Sequence, residues 1–163
     1  MATQYQNSNN YNPETIPDAS GMRFAIVISE WNPAITEKLK EGVYNTLVKN
    51  GAKPENIYMI YVSGSFELIY AARRVVGSIK PDAVIGLGCV IRGDTPHFEF
   101  VCSGVTEGFA LLNAQGDIPC IFGLLTTNNL QQANDRAGGK FGNKGDEYAI
   151  TAIKMAHLAY TFK

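Results

Sequence analysis

The feature that most restricts this chain is an alternation. From Phe24 onward, short runs rich in Ile, Val and Phe alternate four times with stretches of helical periodicity. Such a chain folds as parallel strands joined by crossover helices. Phe24-Ala25-Ile26-Val27-Ile28 is a continuous apolar run suited to a strand buried on both faces. Asn32 is then expected to cap a helix opened by Pro33, with Ile35, Leu39, Val43 and Leu47 on one stripe and Gly51 as its stop. A second strand over Ile57–Val62 leads through Ser63-Gly64-Ser65 to a helix whose Ile69, Ala72, Val76 and Ile79 face inward, ended by Lys80-Pro81. The third strand, Ala83–Ile91, passes through Gly93-Asp94-Thr95-Pro96-His97-Phe98 into a helix carrying Val101, Val105, Phe109 and Leu112. A fourth over residues 118–125 reaches Asn128-Asn129-Leu130-Gln131, an Asn-capped helix start. A glycine- and lysine-rich loop over 137–145 follows. The last helix, from about Asp146, shows Ile150, Ile153, Met155 and Leu158 as its apolar face. The expected architecture is a three-layer α/β/α sandwich on a four-stranded, mainly parallel sheet.

At 163 residues the chain suits a single domain, read as residues 22–163 behind a polar tail, residues 1–21. The tail's Asn, Gln, Ser and Pro cannot bury enough apolar surface to order it, so it is expected to be mobile unless a neighbouring subunit holds it. It has neither the basic nor the apolar region of a secretory signal, and no stretch is apolar enough to span a bilayer. Fourteen basic and 15 acidic residues leave a net charge of -1. That balance offers nothing to nucleic acid or anionic lipid. Cys89, Cys102 and Cys120 form no zinc-type spacing and read as buried, reduced thiols of a cytoplasmic protein.

In a sheet of this kind ligands gather beyond the carboxyl ends of the strands. Four turns therefore hold the candidates. Trp31, the only tryptophan, follows the first strand, where a flat heterocycle could stack on it. Glu67 could accept hydrogen bonds from a polyol, or simply favour the helix dipole. The Gly93–Phe98 turn enters a helix, so its backbone N–H groups could hold a phosphate, while His97 could move protons near neutral pH. The same residues are equally readable as a cap, with Asp94 or Thr95 capping and Pro96 in the first turn. Arg136, Lys140 and Lys144 supply positive charge beside glycines, and a planar guanidinium suits phosphate capture. That loop is not a Walker loop, since no Gly-Lys-Ser/Thr ends it, and Gly86-Leu87-Gly88, in the third strand, lacks the third glycine of a dinucleotide fingerprint.

Taken together, Gly64-Ser65-Phe66-Glu67, the run from Gly88 to Phe98, Phe122-Gly123-Leu124-Leu125-Thr126-Thr127-Asn128, Arg136-Ala137-Gly138 and Gly142-Asn143-Lys144-Gly145 resemble the lumazine synthase family over about residues 22–160. The resemblance implies a flavodoxin-like sheet. It implies condensation of 5-amino-6-(D-ribitylamino)uracil with 3,4-dihydroxy-2-butanone 4-phosphate, without metal or organic cofactor, in riboflavin biosynthesis. It implies that Trp31, Asn32, Ser65, Phe66, Glu67, Val90 and Ile91 meet the pyrimidine and ribityl chain, and that a neighbouring subunit lends Phe122. Gly93, Asp94, Thr95, Arg136 and Lys144 would meet the phosphate, and His97 and Arg136 would carry the chemistry. Ile69 stands where many family members have proline. The family assembles as pentamers with sites between subunits. The compact 138–145 segment resembles members that build a shell of twelve pentamers, and association with riboflavin synthase is a further implied partnership. Two other readings stand beside this one: a non-catalytic shell protein that binds lumazine or flavin, and a flavodoxin-like electron carrier binding FMN, although the first turn lacks the Ser/Thr-rich phosphate loop of such carriers.

Overall fold

A computed structural model describes residues 11–162. Four parallel strands form one sheet: β1 (Phe24–Ser29), β2 (Ile57–Val62), β3 (Ala83–Ile91) and β4 (Cys120–Thr127), in the order β2-β1-β3-β4. Phe24 pairs with Ile57 on one side and Ala83 on the other, and Val84 pairs with Cys120. Every residue of β1 is buried, as expected of a central strand covered on both faces. Its side chains divide between two cores. Phe24, Ile26 and Ile28 join Leu39 and Ile153, from α1 (Pro33–Lys49) and α5 (Lys144–Thr161). Ala25 and Val27 join Leu68, Val105 and Phe109, from α2 (Leu68–Ser78) and α3 (His97–Gln115). This is the expected α/β/α sandwich.

Three boundaries differ from expectation. β4 runs two residues later than predicted. Pro119 lacks an N–H, and the Asn113 amide clasps Cys120 through both its N–H (2.9 Å) and its carbonyl (2.8 Å), so the regular ladder begins there. α5 begins at Lys144 rather than Asp146, because Asn143 Oδ1 accepts from the Gly145 N–H at 2.8 Å. The loop over 137–145 contains a small hairpin of β5 (Ala137–Gly139) and β6 (Gly142–Asn143), preceded by α4 (Leu130–Arg136). α4 is Asn-capped, but one residue later than the Asn128–Gln131 spacing implied: Asn129 accepts from the Gln132 N–H, and Gln132 Oε1 accepts from the Asn128 N–H, both at 2.9 Å.

Two apolar faces are rotated. In α2 the buried set is Leu68, Ala71, Ala72 and Val75, with Ile69, Val76 and Ile79 only partly covered. In α5, Ile150 and Ile153 are buried with Ala149, Ala152 and Ala156, whereas Met155 and Leu158 are exposed. Small residues turn inward here because α5 lies close against α1: a Cβ on Gly145 would fall 2.2 Å from the Leu39 carbonyl oxygen. Within the tail expected to be mobile, Ala19 is buried and Ile16 packs on the core. Lys154 lies over the Tyr11 ring, 5.5 Å from its centroid. Residues 1–10 lie outside the described residues. Among the described residues, no helix is long and apolar enough to cross a membrane.

Candidate functional site

The carboxyl ends of β1, β2 and β3 open onto a cleft of about 650 Å³. Trp31, Ser65, Phe66 and Glu67 line it from the turns after β1 and β2. Val90, Ile91, Gly93, Thr95 and His97 line it from the end of β3 and the start of α3. The Trp31 ring is 70% exposed, so its face is available to a ligand. Ser65 is buried beneath, while Phe66 lies against Gly104 of α3, where even a methyl group would collide with its ring at 2.8 Å. Glu67 and His97 are exposed.

Asn32 does not cap α1 through its side chain. Its backbone is left-handed (φ 59°), its carbonyl accepts from the Ile35 N–H at 2.9 Å, and its side-chain amide donates to the Cys89 carbonyl at 2.9 Å. Neither Asp94 nor Thr95 caps α3: Pro96 occupies the cap position, with no side-chain cap hydrogen bond. Among the described residues, Asp94 makes neither a hydrogen bond nor an ion pair, with Arg136 or otherwise, and its carboxylate is exposed. The turn therefore enters the helix with bare backbone N–H groups and the positive end of the helix dipole.

Phe122, Arg136 and Lys144 are not in this cleft. With Glu147 and Tyr148 they line a second hollow of about 220 Å³ beside β4. The Phe122 ring meets Phe109 edge-on, 6.0 Å between centroids, and still keeps 38% of its surface exposed. Arg136 Nη1 donates to the Gln132 carbonyl at 3.1 Å, and its guanidinium stacks over Phe141, 5.1 Å from the ring centroid. Lys144 is buried and bound by both oxygens of Glu147, at 2.6 and 2.8 Å. Its charge is thereby offset, and Arg136 carries the hollow's net positive charge. Burial, with Glu147 and Cys89 adding, pushes the Tyr148 phenol well up. Lys140, of the same loop, lies over Phe141 at 5.4 Å.

Glu147 was missed in the sequence, although an acid three residues after a lysine at a helix start is the signal of such a pair. Phe98, of the candidate turn, also lines the cleft, with Phe100 and Val101 at the start of α3, whose closeness in sequence to that turn could have revealed them. Among the described residues, no group of three or more His, Cys, Asp or Glu side chains is placed to hold a metal ion.

The family model for 6,7-dimethyl-8-ribityllumazine synthase matches residues 21–160. The 6,7-dimethyl-8-ribityllumazine synthase of Parabacteroides distasonis is 60% identical over 159 residues, covering 98% of this chain and 99% of its own. That of Phocaeicola vulgatus is 59% identical over 155 residues, covering 95% and 92%. That of Porphyromonas gingivalis is 49% identical over 158 residues, covering 97% and 98%. With a sheet of four parallel strands, helices on both faces, and a match along nearly its whole length, the chain belongs to the 6,7-dimethyl-8-ribityllumazine synthase family rather than to the electron carriers that its β-α units alone would permit.

Proposed function

We propose that this chain is a transferase of riboflavin biosynthesis, condensing 5-amino-6-(D-ribitylamino)uracil with 3,4-dihydroxy-2-butanone 4-phosphate to give 6,7-dimethyl-8-ribityllumazine, phosphate and water. One observation carries the reading. A stackable indole, a carboxylate, a bare helix N-terminus and a histidine share one cleft: Trp31, Glu67, the Gly93–Thr95 turn and His97. The pyrimidine stacks on Trp31 between Phe66 and the backbone of Val90 and Ile91, with Ser65 and Glu67 on the ring and ribityl chain, while Asn32 holds the strand end beneath. The phosphate lies on the N–H groups of Gly93, Asp94 and Thr95, with the Asp94 carboxylate turned to solvent.

The 5-amino group attacks the ketone and water leaves, giving an imine. Phosphate is then eliminated, leaving an enol that tautomerises to a ketone, and the ribitylamino nitrogen closes the ring on that ketone with loss of a second water. His97 moves the protons of these steps, and holding the two reactants side by side supplies much of the acceleration. None of the steps requires a metal or an organic cofactor.

Among the described residues, no lysine or arginine lines the cleft of a single chain, whereas Arg136 lines a separate hollow with Phe122. The site is accordingly completed between adjacent copies: Phe122 covers the neighbour's pyrimidine and Arg136, with the Lys144–Glu147 pair behind it, faces the neighbour's phosphate. A closed ring supplies this contact at every interface. The ring is assigned as a pentamer, twelve of which form a cytoplasmic 60-subunit shell with riboflavin synthase as a partner, on the compactness of the segment before α5. The non-catalytic alternative has no observation of its own in its favour.

The test is an assay with both substrates, following lumazine absorbance and released phosphate. Equal amounts of the two products are expected. Absence of product from the intact protein refutes the reading. Light scattering gives the mass that separates a pentamer from a shell.

A further inference from the structure

Arg92 is absorbed by none of the roles above, yet its contacts surround the Gly93–Thr95 turn. Its own N–H donates to the Thr127 carbonyl at 2.9 Å, extending the β3–β4 ladder by one residue and fixing its backbone. From there the guanidinium engages three partners. Nε donates to Asn128 Oδ1 at 3.1 Å, Nη1 pairs with the Glu99 carboxylate, and the planar group lies over the Phe98 ring, 4.2 Å from its centroid. Asn128 is itself fixed, through its N–H, by Gln132 of α4. Phe98 and Glu99 belong to the first turn of α3, directly after His97.

The turn between these anchors has little of its own to hold it. Among the described residues, no hydrogen bond involves the side chains of Asp94, Thr95 or His97, and α3 has no side-chain cap. A turn that presents backbone N–H groups to an anion works only if those groups are aimed before the anion arrives. We infer that Arg92 is a positioning residue for the proposed reaction, clamping the first turn of α3 to the end of β4 so that the Gly93–Thr95 N–H groups and His97 are held ready for the phosphate-bearing substrate. The requirement is for a planar fork with a stacking face, which lysine cannot supply.

This inference rests on the proposed reaction for its kinetic readout, but not for its binding readout. The probe is inorganic phosphate, titrated calorimetrically into the intact assembly, alongside kinetics with both substrates. Arg92→Ala is expected to weaken phosphate about tenfold. It is also expected to raise the KM of the phosphate-bearing substrate by a similar factor, with the pyrimidine's dissociation constant unchanged within twofold. Arg92→Lys should behave like the alanine variant. Asn128→Ala, which removes one arm and leaves the guanidinium charge in place, should give roughly a threefold loss, and Glu99→Gln, which keeps an acceptor, a smaller one.

A lysine variant with the phosphate affinity of the unaltered protein would show that Arg92 acts as a point charge and overturn the clamp. So would an unaffected Asn128→Ala, a parallel fall in pyrimidine affinity, or an intact protein that binds no phosphate. Should Arg92→Ala fail to assemble, Asn128→Ala and Arg92→Lys decide the matter by the same criteria. An intact protein that binds phosphate and loses that binding in Arg92→Lys, yet forms no lumazine, would refute the reaction and leave the clamp standing.

Discussion

The side-chain amide of Asn32 donates a 2.9 Å hydrogen bond to the carbonyl of Cys89, joining the turn after β1 to β3 beyond the point where their pairing ends at Ile28 and Leu87. The next two residues of β3, Val90 and Ile91, line the cleft. Asn32 therefore steadies the backbone edge against which the pyrimidine is proposed to lie.

Asn32→Asp tests this directly. Aspartate tolerates the left-handed backbone but offers no donor, and it sets a carboxylate against a carbonyl. Leaving a buried carbonyl unsatisfied costs about 1–3 kcal/mol. Pyrimidine affinity, measured by titration, is expected to fall roughly tenfold. Phosphate affinity should not change.

Trp31 provides an optical test of the same edge. With its ring 70% exposed, the single indole should emit as a solvated one in the free protein. Pyrimidine binding should quench and shift that emission by stacking. Phosphate alone should leave it unchanged.

Local packing predicts opposite outcomes for two glycines, one pressed between α5 and α1 and one exposed on α2. Gly145→Ala would press a methyl group to 2.2 Å from the Leu39 carbonyl and 3.0 Å from the Val43 nitrogen. Overpacking at backbone contacts costs about 3 kcal/mol, which lowers the unfolding midpoint by roughly 6–12 °C. Gly77→Ala, on an exposed part of α2 with nothing within 4 Å, should be neutral or slightly stabilising by thermal melt.

The thiols separate by burial. Desolvation pushes Cys89 up from 9.0 to about 12 and Cys120 up to about 11. Both stay protonated in the folded protein where the unfolded chain would ionise. Their contribution to stability is therefore intact below pH 9 and declines as pH rises toward 11–12. A thiol reagent at pH 8 should reach Cys102, which is only partly buried, well before the other two. Denaturant should expose all three at once.

The layers of this fold were readable because strands buried on both faces are continuous apolar runs, and β1 and β3 fall where those runs are, while β2, at the sheet edge with Met59 and Tyr61 exposed, still lies on an apolar and aromatic stretch. The inward face of α5 was readable only at Ile150 and Ile153. Periodicity weighs Met155 and Leu158 above Ala149, Ala152 and Ala156, whereas the short distance to α1 selects the small residues. Asn32 looked like a cap because nothing in a local pattern announces a carbonyl 57 residues away. Trp31, Glu67 and His97 could be gathered from their positions just beyond strand ends. The separation of Phe122 and Arg136 into a second hollow, and the bonds of Arg92, depend on which edge of β4 each side chain reaches, and no spacing in the chain encodes that.

The central claim is a lumazine-forming site made by two copies of the chain, one giving His97 and the other Arg136. His97→Ala and Arg136→Ala should each lose roughly 100-fold or more of the activity. Dissociated, mixed in equal amounts and reassembled, they should recover about a quarter of the intact protein's rate of lumazine formation, because in a closed ring about one interface in four pairs an intact His97 with an intact Arg136. Mixed assemblies no more active than their components would place both residues in one chain's site and contradict the account.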